Sequence, residues 1–229
     1  MSPLPYDVVT FDCYGTLIDW ERGIAEAFAA EAARLRALVD VTAAVALYAE
    51  IEPAVQAEGY QRYRRVLAET ARRVAARLRW PLPAARAGFL AESLPYWRPF
   101  PDTNRGLRQL AAAGCRLGIL SNVDDDLLVW TRRHFGAPFE VIVTAEQVGS
   151  YKPAHGHFLE ARARIGDRAW LHAAQSSFHD VAPARALRIP VAWVNRKGER
   201  AADGGPPTRE VRTVLELAEW LAPGVVPAA

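Results

Sequence analysis

Over its second half the sequence alternates short apolar, β-branched runs with segments of helical periodicity, and this alternation restricts the fold more than any other feature. Residues 116–120 (RLGIL), 141–143, 169–174 and 191–194 are too short for buried helices and are flanked by turn-forming residues, so each predicts a fully buried strand. Residues 104–113, 125–135, 154–165 and 183–187 predict the intervening helices, and 208–221 a closing one. A further run, Val8–Phe11, stands alone near the N-terminus. Strand–helix units in series bury both faces of their strands as a parallel sheet with right-handed crossovers and helices on both sides. The expected class is α/β, a doubly wound parallel sheet of about five strands.

Between the first strand and the rest the composition turns to Ala, Glu, Arg and Leu. Residues 23–39, 42–58, 60–78 and 84–93 carry apolar residues at helical spacing. Asp40 and Thr42 can start a helix, Gly59 can end one, and Trp80-Pro81-Leu82-Pro83 breaks another. This predicts an all-helical domain at 20–94 inserted after the first strand, with 1–19 and 95–229 forming the α/β domain. Its arginines (Arg62, Arg64, Arg65, Arg72, Arg73, Arg77, Arg79) read as a solvated helix face from which one could still reach a substrate.

A chain of 229 residues, 51% hydrophobic and 24% charged, can bury a sizeable core. Its net charge of +2 is too small to imply a nucleic-acid partner. Cys13 and Cys115 are far apart and lack metal-type spacing, so neither a disulfide framework nor a zinc site is expected, and a reduced, cytoplasmic setting fits. The first residues, MSPLPYDVVTF, lack the basic region and long apolar core of an export signal, and no apolar run of about 18 residues occurs. A soluble protein that is not exported and has no membrane partner is expected. Residues 197–207, rich in Gly, Pro and charge, predict a mobile loop.

Parallel strands place all their C-terminal ends on one edge of the sheet, where open α/β folds bind ligands. Asp12, Ser121-Asn122, Lys152 and Ser176–Asp180 each follow a predicted strand or lie in the loop after one. Each alone has a bland explanation: a turn-starting Asp, ordinary Ser-Asn turn chemistry, a surface lysine before Pro153, a helix N-cap at Asp180. Four polar stations converging on one edge predict an active-site crevice.

The segments FDCYGTLIDWE, LGILSN, SYKP and the late Asp180 resemble, in order and over the whole chain, the four motifs of the haloacid dehalogenase superfamily. The resemblance implies that the helical domain is a cap. Phosphatase members carry a second Asp two places after the nucleophile and an acidic residue earlier in the fourth motif that helps hold magnesium; these positions are Tyr14 and Ser176 in this chain. Magnesium prefers anionic oxygen ligands, and only Asp12, Asp180 and a backbone carbonyl would remain for it. No metal and no cofactor are therefore expected. Tyr14 is similar to the D-x-Y-G-T form of the L-2-haloacid dehalogenase branch, which uses no metal.

That resemblance implies roles. Asp12 would attack the halogen-bearing carbon of a small anionic 2-haloacid, haloacetates and fluoroacetate included, to form an ester. Lys152 would keep Asp12 ionised and steer the anion. Thr16 would hydrogen-bond Asp12. The backbone amides of Cys13 and Tyr14, with Ser121 and Asn122, would bind the substrate carboxylate. Asp180 would position Lys152 and, with Ser176 or Ser177, a hydrolytic water. The sequence also departs from the branch. Its halide-binding cap arginine has no counterpart within 41–50, so Arg62 or Arg64 would substitute; Phe158 replaces a tyrosine; and Gln175-Ser176-Ser177-Phe178-His179-Asp180 replaces Ser-Ser-Asn-x-Trp-Asp. His179 could donate to a leaving halide or simply pack beside the strand end. Two other readings stay open: a magnesium-dependent phosphatase of a small phosphate ester, and a catalytically quiet binding protein. The resemblance also suggests a homodimer.

Overall fold

The computed structural model describes residues 4–200 and 205–226. Its sheet has six parallel strands: β1 (Val8–Phe11), β2 (Arg116–Ser121), β3 (Val141–Thr144), β4 (Trp170–Ala174), β5 (Val191–Val194) and β6 (Arg209–Val211). Their order is β3-β2-β1-β4-β5-β6. The chain builds outward from β1 on one side, returns, and builds outward again from β4, so the crevice of the sheet lies beyond the C-terminal ends of β1 and β4. β1 and β4 are buried throughout, as their apolar sequences require.

The sixth strand corrects the expectation of about five and of a helix over 208–221. Residues 209–211 pair with β5 (Ala192 with Arg209, Val194 with Val211), and the helix occupies only Val214–Leu221. Thr213 caps that helix by accepting from the Glu216 amide at 3.0 Å, while the Glu216 carboxylate accepts from the Arg212 amide at 2.7 Å. This is a variant of the capping box in which the return bond comes from the residue before the cap, and its T-x-x-E signature marks the true start of the helix in the sequence. Of the loop predicted to be mobile, residues 201–204 lie outside the described residues; Glu199 closes a turn on Asn195 through its amide at 2.8 Å.

Gly118 in β2 has a steric reason. A Cβ there would come within 2.8 Å of both the Thr10 methyl and the Val141 carbonyl, so no larger residue fits between β1 and β3 without displacing one of them.

By packing, the chain divides into two units. The α/β unit comprises the described residues up to Ile18, Pro99–Asn122 and those from His134 onward; the helical unit comprises Asp19–Arg98 and Val123–Arg133. The helical unit is built from Trp20–Arg34, Val41–Ala57, Tyr63–Arg77 and Phe89–Ser93, around Ile24, Phe28, Val55, Leu67, Val74 and Leu90. Phe89 meets Phe28 and Trp80 edge-on, with centroids 5.1 and 6.0 Å apart.

Asp19 and Asp40 cap the first two of these helices from the adjacent residue. The third has no such cap, since Arg62 precedes it. Its first amides are met instead by Asp124, buried to 1% exposure, which accepts from the Tyr63 amide at 2.7 Å and the Arg64 amide at 3.1 Å. A carboxylate at a helix N-terminus satisfies otherwise orphaned donors and the positive end of the dipole. Asp124→Ala is therefore expected to lower stability by about 1–2 kcal/mol. Asn, which keeps one acceptor, should lose less. Denaturant unfolding of the full chain measures both.

Candidate active site

Side chains two apart on a strand share a face, so Thr10 and Asp12 leave β1 on the same side. Asp12 ends the strand at 8% exposure. The following turn folds Thr16 back, and its hydroxyl donates to Asp12 Oδ2 at 2.9 Å while accepting from the Gln175 amide at 2.9 Å. Thr16 is thus oriented by the loop after β4. Arg196, just beyond β5, holds the same turn by donating to the Thr16 carbonyl at 2.7 and 3.1 Å. A bidentate pair with Asp102 and the face of Phe100, 3.9 Å away, keep that guanidinium in place.

Lys152 is the centre of the cluster. Its ammonium, 2% exposed, donates to Asp12 Oδ1 at 2.9 Å, Asp180 Oδ1 at 2.6 Å and the Leu120 carbonyl at 2.8 Å, which uses all three of its donors. Asn122 grips the lysine backbone on both sides, accepting from its amide at 2.7 Å and donating to its carbonyl at 3.1 Å. The amide of Asn122, expected to bind a substrate carboxylate, is thus engaged in placing the lysine.

Burial works against the charge on Lys152, but the two carboxylates outweigh it and raise its pKa, so it remains an ammonium. Burial raises the Asp12 carboxyl above its ordinary value, with the Asp180 charge adding to the effect, while Lys152 and Thr16 pull it down. For Asp180 the balance is opposite: burial is exceeded by Lys152 and His172, which hold this acid well below the usual carboxylate range. Of the two carboxylates Asp12 is the more basic, and Asp180 is the permanent anion.

The loop after β4 makes a π-helical turn over Ser177–Val181 that carries Asp180 inward. Ser176 caps it, accepting from the His179 amide at 3.0 Å, with its hydroxyl 3.1 Å from His179 Nδ1. Burial lowers the His179 pKa, favouring the neutral ring. The Ser176 hydroxyl therefore serves the turn. Ser177 is half-buried and Phe178 is exposed, edge-on to His179. Cys13 is fully buried, its thiol pushed well up by burial, and Tyr14 is half-buried. Ser121 is fully buried, and its hydroxyl has no partner among the described residues.

The family model for haloacid dehalogenase-like hydrolases matches residues 6–217. The chain belongs to that family. Among the haloacid dehalogenase-like proteins similar to it is (S)-2-haloacid dehalogenase H-109 of Pseudomonas putida, 32% identical over 136 residues, 58% of this chain and 61% of the relative. The chain thus matches about three fifths of the length of that curated relative. A defluorinating L-2-haloacid dehalogenase shares the fold at a TM-score of 0.82, with 23% identity over 94% of this chain and 95% of that one. The magnesium-bound protein YfnB of Bacillus subtilis shares it at 0.79, with 18% identity over 94% and 98%. The fold alone is common to all of these, and the reaction has to be argued from the site.

In this family member Asp12, Thr16, Asn122, Lys152 and Asp180 form one hydrogen-bonded cluster, and Ser121 is buried next in sequence to Leu120, whose carbonyl accepts from Lys152. Arg62 and Arg64 belong to the helical unit. Arg64, expected as a halide ligand, is paired with Asp124 at 3.2 Å and with Asp126. Sequence reasoning missed His172, Thr10, Trp170, His157 and Arg196. A signal was present for two of them: a histidine within WLHAA and a threonine within VVTF, each a polar side chain on a strand buried on both faces, where it must find a partner. Among the described residues no helix is long and apolar enough to cross a membrane.

Proposed function

We propose that this protein hydrolyses small 2-haloacids, haloacetates among them, without a metal, through an aspartyl ester at Asp12. The observation that carries the reading is the Asp12–Lys152–Asp180 cluster with Tyr14 two places beyond Asp12: a buried carboxylate beside a permanent ammonium, with no second carboxylate to act as a phosphatase acid. Both carboxylates of the cluster already bind the ammonium, and among the described residues no group of three or more His, Cys, Asp or Glu is arranged to hold a metal ion. Lys152 occupies with one fixed positive charge the electrostatic role that a cation would otherwise fill.

In this mechanism an Asp12 oxygen displaces halide from the carbon next to the substrate carboxylate, and the halide leaves with the bonding pair. Water oriented by Asp180 then attacks the Asp12 carbonyl carbon and loses its proton to bulk water. The ester C–O bond at the protein carbonyl breaks, releasing the 2-hydroxy acid with inverted configuration and regenerating the carboxylate with one water-derived oxygen. The buried Ser121 hydroxyl supports carboxylate recognition, since a buried donor of this kind needs a partner. The helical unit is read as the counterpart of the family's cap.

Halide release from chloroacetate, fluoroacetate and (S)-2-chloropropionate in the presence of EDTA is expected, measured by ion chromatography. Phosphate release from small phosphate esters that requires added magnesium, with no halide release, would replace this reading with the phosphatase.

A further inference from the structure

Asp180 accepts two hydrogen bonds on the same oxygen, Oδ1: from Lys152 at 2.6 Å and from His172 Nε2 at 3.0 Å. Its other oxygen, Oδ2, is buried and has no partner among the described residues. The histidine behind this arrangement is fully buried in the middle of β4, where the register pairs it with Thr10 of β1. Directly opposed residues project to the same side of the sheet. The Thr10 hydroxyl is 2.9 Å from His172 Nδ1, and it accepts from the Trp170 indole N–H at 2.8 Å.

The direction of this chain follows from its first member. An indole N–H can only donate, so it occupies a lone pair of the Thr10 oxygen. The Thr10 proton is fully buried and has His172 Nδ1 as its acceptor. With Nδ1 as the acceptor, Nε2 is the nitrogen that donates to Asp180 Oδ1. Around the ring, Asp180 Oδ1 lies 3.0 Å from Nε2 and Phe158 meets the imidazole edge-on at 5.2 Å.

We infer that Trp170, Thr10 and His172 form a directional donor chain, and that His172 is a positioning residue for ester hydrolysis: by holding Asp180 through Oδ1 beside Lys152, it leaves Oδ2 as the acceptor for the attacking water. The donor chain stands on geometry alone, whereas its part in hydrolysis rests on the reading proposed above. Alkylation of Asp12 depends on Lys152 and Thr16 and does not need Oδ2. Loss of His172 therefore slows the second half-reaction selectively.

Two measurements on the full-length protein separate these statements. In the protein with 15N-labelled histidine, His172 is expected to show Nε2 as its donor nitrogen and Nδ1 as its acceptor, and Thr10→Val to release that preference. A proton on Nδ1 overturns the donor chain whatever the substrate proves to be. In chloroacetate turnover, His172→Phe is expected to lower the steady-state rate about 10- to 100-fold, the range for partners that orient a reacting group. It should leave the first-turnover halide burst unchanged and let the Asp12 ester accumulate in quenched samples read by mass spectrometry. His172→Gln, which keeps a donor towards Asp180, should recover part of the rate. Equal loss of burst and steady-state rate, with no ester, overturns the positioning role. A folded wild-type protein that releases no halide from any haloacid overturns the dehalogenase reading instead, and the positioning role with it, while the labelled-histidine experiment still decides the donor chain.

Discussion

Asp12→Ala is expected to abolish halide release, with a loss on the order of ten-thousandfold or more, the scale seen when a covalent nucleophile is removed. The fold should survive, because Lys152 keeps Asp180 and the Leu120 carbonyl as partners. Wild-type protein turning over a haloacid in oxygen-18 water should acquire the label in the peptide containing Asp12, because water attacks the protein carbonyl. Label found only in the product would mean direct displacement by water and would remove Asp12 from the covalent role. The same carboxylate sets a pH limit. Its pKa is raised above the ordinary value by burial, and only the anion attacks, so kcat/KM should fall on the acid side at a pH above that of an exposed aspartate, about 3.9. An acid limb at or below that value would show that Lys152 prevails over burial.

The second large effect is structural. Lys152→Met leaves Asp12 and Asp180 buried beside one another without their cation, and breaking a buried ion pair from one side costs about 3–5 kcal/mol. Activity should vanish as well, since removing the cation leaves burial and Asp180 to raise the Asp12 carboxyl further. The sign of the pH dependence follows from Asp180. In the wild type its folded pKa is depressed, so it contributes stability above its unfolded value that is lost as pH falls through the folded one. In the variant both carboxyls are raised, and protonating them relieves the buried charge. The stability gap between the two proteins should therefore narrow as pH falls, as thermal unfolding at neutral and acid pH would show. A constant gap would mean that the loss comes from packing of the lysine stem and not from charge.

Much of the site could be read from the sequence because it follows from local rules. A buried strand ending in a carboxylate, a Thr in the tight turn beyond it, and a lone lysine and aspartate after later strands are features of short segments. The structure joins these residues by hydrogen bonds of 2.6 to 2.9 Å. What could not be read was which donor each acceptor would take. Asn122 and Arg64 looked available for a ligand; one grips the Lys152 backbone and the other pairs with Asp124, itself the remote cap of a helix that begins at Tyr63. His172 and Thr10 are separated by 162 positions and are hydrogen-bonded neighbours in space.

By itself, then, the sequence determined that short buried strands alternate with helices, that their polar ends share one edge of a parallel sheet, and that Tyr14 stands where a phosphatase would place an acid. These depend on periodicity, on burial of apolar runs and on the identity of single residues, all of which are properties of the chain read locally. Only the tertiary structure decided that β1 lies beside β4, so that Asp12 faces Asp180 across the switch in strand order, and that Thr10 is in register with His172. Parallel pairing joins segments far apart in the chain, and its register is set by how whole faces pack. Hydrogen-bond partners in a dry interior are then chosen by distances that no local pattern encodes.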